Sequence, residues 1–327
     1  MKVTFILGNG FDINIGLDTR YKDFYHYFSV QHSMKIMEPL KHEKLMHMIK
    51  KENDINWADL ELLFASKIRY FESFIELKNE KIYLENALRK YLEGEQNRVT
   101  TNDTEELRND WNKIVDYYCR YSDKCNQYEV SFLTLNYTNV IDKMICAIGN
   151  ENSNYSIKYN TPMHLHGELD DLIFGVGDKT QYDNSANYNG DELEKIMLKP
   201  ILNNSIRSEK IEAINETIQT SDLIVIFGAS LGSTDKIWWE KVVNWLNKNN
   251  NGKLLVLCNS LTEEKGATAI QQVFEDYENK FSIYTREYNV KGQIEYVKAE
   301  NDLFKFENAI SVAMKNKFFN LTIDCDD

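Results

Sequence analysis

Proline is scarce in this chain, with three residues among 327, so few rigid linkers are expected to divide it. Internal repeats and low-complexity tracts are absent as well. Cysteine is sparse and scattered. Cys119, Cys125, Cys146, Cys258 and Cys325 are odd in number and form no CxxC pair, which speaks against a disulfide framework or a structural zinc site and fits a reducing cytosol. No stretch approaches the ~18 apolar residues of a membrane span. The first residues show neither a basic n-region nor a small-residue cleavage site, so no secretory signal is expected and a cytoplasmic location is. Positive charge is in deficit. Against 51 acidic residues stand 38 basic ones, a net −13, which opposes adhesion to nucleic-acid phosphates. No GKS or GKT phosphate loop is read, against a P-loop ATPase or GTPase, and no GxSxG elbow is read, against an α/β-hydrolase. His26, His32, His42 and His47 do not follow HExxH or another ligand spacing, and no metal site is expected.

What is present falls into two textures. Residues 21–125 are charged and aromatic with apolar residues at helical spacing, as in Trp57, Leu60, Phe64, Ile68, Phe71 and Ile75, and read as a helical block. After residue 128 short β-rich runs alternate with helices. VSFLTL (130–135), HLHG (164–167), DLIFGVG (171–177), DLIVIFG (222–228), KLLVLCN (253–259) and FSIYTREY (281–288) read as strands; 204–220, 235–249 and 261–277 read as helices. LIVIF and LLVLC are continuously apolar, as strands buried on both faces are, and residues 2–7 belong to the same sheet. The expected fold is a doubly wound, mostly parallel, Rossmann-type α/β domain of residues 1–20 plus 126–327, with 21–125 inserted after the first strand–helix unit.

Ligands of such sheets bind beyond the carboxyl ends of the strands. Small and polar residues gather at nearly every one: Gly8-Asn9-Gly10-Phe11-Asp12, Asn136-Tyr137-Thr138-Asn139, His164-Leu165-His166-Gly167, Gly175-Val176-Gly177-Asp178, Gly228-Ala229-Ser230 through Asp235, and Asn259-Ser260. The first loop is not GxGxxG, because Ile13 stands where the third glycine belongs. Gly8-Asn9-Gly10 is then either a tight turn or one wall of a ligand site. Asn136 is either a helix cap or, with Thr138 or Asn139 supplying the cap, free for a ligand. His164 and His166 alternate along a strand and so face opposite sides. One is expected to be a satisfied core histidine, with His166, at the strand end, the exposed one.

In this order, GNGFDINIGLDTRYKDF, FLTLNYTNVID, MHLHGELD, FGVGD and FGASLGSTDKIWW resemble the bacteriophage abortive-infection AbiH family over essentially the whole chain. That family is in turn similar to the sirtuin-type NAD-binding fold and to sirtuin-like NAD-degrading defence effectors. The resemblance implies an antiphage effector that binds NAD+ and hydrolyses its nicotinamide–ribose bond. Asn136 and His166 would be catalytic, and Gly8, Asn9, Gly10, Asp12, Gly228, Ser230, Asp235 and Asn259 would bind NAD, which is substrate or ligand and not a resident cofactor. The departures are specific. Asn9 and Phe11-Asp12 replace small residues of the sirtuin loop, Thr138 stands for an aspartate, and the zinc-ribbon cysteines are missing, so peptide deacylation is not implied. A phage-derived trigger or partner protein and a homo-oligomer are further implications. The alternative is a module that senses NAD or ADP-ribose without cleaving it and signals to a partner.

Overall fold

Strand β1 (Lys2–Leu7) is buried from Val3 to Leu7, a pattern that only a strand covered on both faces achieves. The computed structural model describes residues 1–34, 42, 45, 59–120, 127–148, 156–183, 185, 188–258 and 267–298. In it β1 lies inside a seven-stranded sheet with β2 (Gln127–Thr134), β3 (Ser156–Tyr159), β4 (Met163–His164), β5 (Leu223–Phe227), β6 (Lys253–Cys258) and β7 (Ile294–Lys298). The order is β3-β2-β1-β5-β6-β7, with β4 also on β2, and every pairing is parallel. All carboxyl ends therefore share one edge. Leu7 pairs with Thr134 on one side and Phe227 on the other. From β1 the chain moves outward through β2 and β3, then crosses back to β5, β6 and β7, so the strand order reverses between β1 and β5. That reversal is where open α/β sheets bind ligands.

Among the described residues the helices are α1 (Gly10–Asn14), α2 (Tyr21–Met34), α3 (Leu60–Ser66), α4 (Phe74–Gln96), α5 (Thr101–Arg120), α6 (Val140–Ile148), α7 (Gly190–Met197), α8 (Lys199–Gln219), α9 (Lys236–Lys248) and α10 (Ala267–Thr285). Asp59 starts α3 by accepting from Leu62 N at 2.9 Å, and Ser73 starts α4 by accepting from Glu76 N at 3.1 Å. Caps of this kind contribute about 1 kcal/mol each.

Three apolar clusters hold these layers. Phe5, Phe132 and Trp111 meet pairwise at ring-centroid distances of 5.3 Å on one sheet face, which brings α5 under β1 and β2. On the other face Ile6, Leu133, Ile224 and Ile226 pack with Ile214 and Ile218 of α8 and Trp239 and Val242 of α9. The third cluster joins Phe24, Phe28, Phe64, Leu84 and Leu88 to Phe174 and Val176, so the helices between α1 and β2 pack against the 171–177 segment.

Several expected strands differ. Residues 171–177 make one bridge, Val176 to Leu198, and no strand; their apolar side chains serve the helical cluster. In HLHG only His164 lies in a strand, because Gly167 at φ +83° turns the chain away. FSIYTREY is not a strand. Its first half ends α10, where Phe281 and Thr285 are buried four residues apart while Ile283 between them is exposed. Helical spacing outweighs the β preference of Ile and Tyr there. The last strand is IEYVK instead, and β3 is a further strand absent from the sequence reading. Trp57, Asn259 and Cys325 lie outside the described residues.

Candidate functional site

At the strand-order reversal the first loop meets the loop after β5, backbone on backbone. Gly8 N donates to Phe227 O at 2.8 Å and Gly10 N to Gly228 O at 2.9 Å. A Cβ on Gly8 would fall 2.5 Å from Ala229 Cα, and one on Gly228, which sits at φ +66°, would fall 2.8 Å from Gly10 Cα. The glycines thus permit two loops to touch, and the Gly8 and Gly10 amides are spent on that contact. Asn9 is tied too: its amide donates to Thr19 O at 3.0 Å and its carbonyl accepts from the Thr19 hydroxyl.

Asp12 and Asn136 form the next layer. Asn136 Nδ2 donates to Asp12 Oδ1 at 2.9 Å and to Gly8 O at 3.1 Å, and the Thr138 hydroxyl donates to Asp12 Oδ2. Thr138 therefore serves Asp12, and the Asn136 amide is engaged by protein. Burial pushes Asp12 up to about 7, with Thr138, Asn136 and His164 acting against it. His164 closes this layer through Nδ1 to Asn136 O and Nε2 to Asp142 Oδ2, both at 2.9 Å. Burial works against its charge, but Asp142 and the Asn136 carbonyl hold it above the usual histidine range.

A second, deeper group surrounds His166. The histidine expected to be exposed is 3 % exposed, because Gly167 folds the chain back over it and Trp238 packs against its ring. His166 Nε2 lies 2.7 Å from Asp235 Oδ1, and Lys199 Nζ lies 3.0 Å from the same oxygen. Lys199 also meets Glu61 Oε2 at 2.6 Å. Glu61 Oε1 accepts from Tyr137 OH and Gly175 N, each at 3.3 Å. Asp59, one residue before α3, accepts from the Thr234 hydroxyl at 3.1 Å.

The charges sort themselves by environment. Burial raises Asp235, but Lys199 and His166 outweigh it and hold the carboxyl well below the usual range. Burial raises Glu61 to about 8, with Lys199 opposing. Burial lowers Lys199, yet Asp235 and Glu61 together keep its ammonium above the usual lysine range. Burial and then Lys199 depress His166 to about 4, with Asp235 acting the other way. His166 is thus neutral near pH 7 beside an ionised acceptor, so Nε2 carries the proton. Its Nδ1 is left with a bare lone pair and has no partner among the described residues.

Of the sequence-derived candidates, Gly8, Asn9, Gly10, Asp12 and Asn136 come together in the first layer, while His166 and Asp235 come together in the second. Gly228 joins the first, and Ser230 is exposed on the loop between them. One exclusion needs correcting: Gly228-Ala229-Ser230-Leu231-Gly232 does have the GxSxG spacing. It does not build a nucleophile elbow, since the residues at positive φ are Gly228 and Leu231 and not Ser230, and Ser230 makes no hydrogen bond to His166. Glu61, Lys199 and Tyr137 were missed. The available signals were an acid inside the apolar stretch LELLFA, and the polar residues Lys199, Asn203 and Arg207 at successive four-residue steps of α8. Among the described residues no group of three or more His, Cys, Asp or Glu side chains is gathered as a metal would require.

The sheet and this edge define a Rossmann-like, doubly wound α/β protein with a buried acid–base cluster beside its strand-order reversal. A family profile described as bacteriophage abortive infection AbiH matches residues 4–257, and the chain belongs to that family. No match was found among curated proteins. No helix among the described residues is long and apolar enough to cross a membrane.

Proposed function

We propose that this AbiH protein is an antiphage effector that binds NAD+ at the carboxyl edge of its sheet and hydrolyses the nicotinamide–ribose bond. One observation carries the reading: His166, kept neutral by burial and Lys199, has its proton fixed on Nε2 by Asp235 and its Nδ1 bare, beside the strand-order reversal. Nicotinamide leaves a cationic pyridinium as a neutral base, so the C1′–N bond breaks onto nitrogen without an acid. A water oxygen then bonds to C1′ and gives its proton to His166 Nδ1. Asn136 supports this reading as a brace, fixing the Asp12 loop against β2, because its amide already serves Asp12 and Gly8. Gly8 and Gly10 line the edge without offering their amides to a phosphate, since both are bonded to the loop after β5.

A second reading rests on Glu61. Because α3 delivers this acid to Lys199, occupancy at the sheet edge is felt directly by the helices between α1 and β2. A sensor of NAD or ADP-ribose that signals through those helices, and not through turnover, would use that link. Purified protein incubated with NAD+ and followed by chromatography separates the two. Release of nicotinamide and ADP-ribose, lost in His166→Ala, supports hydrolysis. Calorimetric binding without products supports the sensor, and neither binding nor products rejects both.

A further inference from the structure

Two more buried side chains, on the elements packed around the 164–166 segment, end in unpartnered atoms. Asn203 is 3 % exposed, and its Nδ2 has no hydrogen-bond partner among the described residues. The same holds for Trp238 Nε1, whose ring lies 6.3 Å from the His166 ring, centroid to centroid. Asn203 stands one helical turn after Lys199 on α8, and Arg207, where the helix kinks at φ −138°, follows four residues later. Lys199 touches the Asp235 oxygen that receives the His166 proton, and Arg207 Nη2 donates to His164 O at 2.7 Å. The two basic residues therefore bracket the 164–166 segment, and Asn203 lies between them.

The orientation of each group is fixed by its neighbours. Arg207 Nη1 donates to Asn203 Oδ1 at 3.4 Å, which leaves the NH2 end as the free one. Asp235 fixes the His166 proton on Nε2, which leaves Nδ1 as a pure acceptor. Unpartnered buried polar atoms are costly, and these are complementary: one acceptor with two donors. A ligand hydroxyl, with two lone pairs on its oxygen, is the group that satisfies both donors at once and leaves Nδ1 to accept a proton.

We infer that Asn203 and Trp238 are positioning residues which hold one hydroxyl of the bound ligand beside His166, whose Nδ1 stays open to the proton of the attacking water. This rests on the NAD reading above and deepens it, because it assigns the ligand-hydroxyl contact to α8 and α9. The test measures affinity by calorimetry for NAD+, ADP-ribose, and NAD+ analogues lacking the 2′- or the 3′-hydroxyl of the nicotinamide ribose. Wild type, Asn203→Ala and Trp238→Phe are compared, with thermal melting to establish that each is folded. Trp238→Phe removes one N–H and keeps the ring packing.

The expected result is that one deoxy analogue binds wild type about tenfold more weakly than NAD+, the usual worth of one hydrogen bond. In either variant that discrimination shrinks towards unity. A purely structural role would weaken all ligands alike. Binding by wild type with unchanged discrimination in both variants overturns the inference and leaves the NAD reading standing. Failure of wild type to bind NAD+ or ADP-ribose overturns both.

Discussion

Glu61 and Lys199 meet at 2.6 Å with their side chains 4 % and 2 % exposed, one from the helices between α1 and β2, the other from the helix packed on the sheet. Removing one partner of so buried a pair strands the other, a loss of roughly 3–5 kcal/mol. Lys199→Met is therefore expected to be strongly destabilised, while Lys199→Met combined with Glu61→Gln recovers part of the loss. Urea unfolding of both single variants and the double variant measures the coupling. Additivity within about 0.5 kcal/mol would mean that the contact does no energetic work.

The depressed titration of His166 sets the pH response of any hydrolysis at this site. A group held near 4 is already neutral across the physiological range, so kcat/KM for NAD+ should be level between about pH 5.5 and 7.5 and fall only below about 5. Asp235→Asn removes the anion that fixes the proton on Nε2, and a loss of roughly 10²–10⁴ in kcat is expected. A wild-type profile with its midpoint near an ordinary histidine value, about 6.5, would contradict the burial argument.

Asp12 should make folding pH-dependent in the opposite sense to a surface carboxylate. Its folded value near 7 exceeds the unfolded value near 4, so between the two the folded state holds a proton that the unfolded state has released. Its contribution is thus fully present below about pH 4 and is lost as pH rises to about 7. Asp12→Asn keeps an acceptor for Asn136 and removes the titration. The fall in unfolding free energy from about pH 4 to 7 should be shallower in the variant by a few kcal/mol. Equal slopes by denaturant titration would count against a buried, proton-holding Asp12.

Gly228→Ala tests the loop-on-loop contact. The added Cβ would be strained at φ +66° and would press on Gly10 Cα at 2.8 Å, so a loss of about 1–3 kcal/mol is expected. Gly16→Ala is the control, since it shares a positive φ but has nothing within 4 Å of its Cβ. A similar drop in melting temperature for both would attribute the effect to backbone conformation alone.

The sheet was legible where burial on both faces writes itself into sequence, as in LIVIF, LLVLC and the run before Gly8. It was not legible where apolar residues serve another layer. Phe174 and Val176 look like a strand and pack on helices, and Phe281 looks like one and sits on a helix face. The edge loops were found because small and polar residues mark strand ends. The partners of those loops were hidden by distance along the chain: nothing local to Glu61 announces that Lys199, 138 positions later, will neutralise it. His166 stands out in the sequence as a histidine at a strand end, but its burial does not, since that depends on Gly167 turning the segment back under Trp238.

The inner place of β1 has a consequence for how the molecule is made. Its neighbours are residues 127–134 on one side and 223–227 on the other, so the earliest strand synthesised waits for both before its hydrogen-bonding edges close. Gly8 and Gly10 have no carbonyls to bond until Phe227 and Gly228 exist, and His166 has no anion until Asp235 does. A chain whose translation stops before residue 235 carries the histidine without the group that sets its proton. Assembly of the acid–base cluster thus waits until the chain has been made through the start of α9.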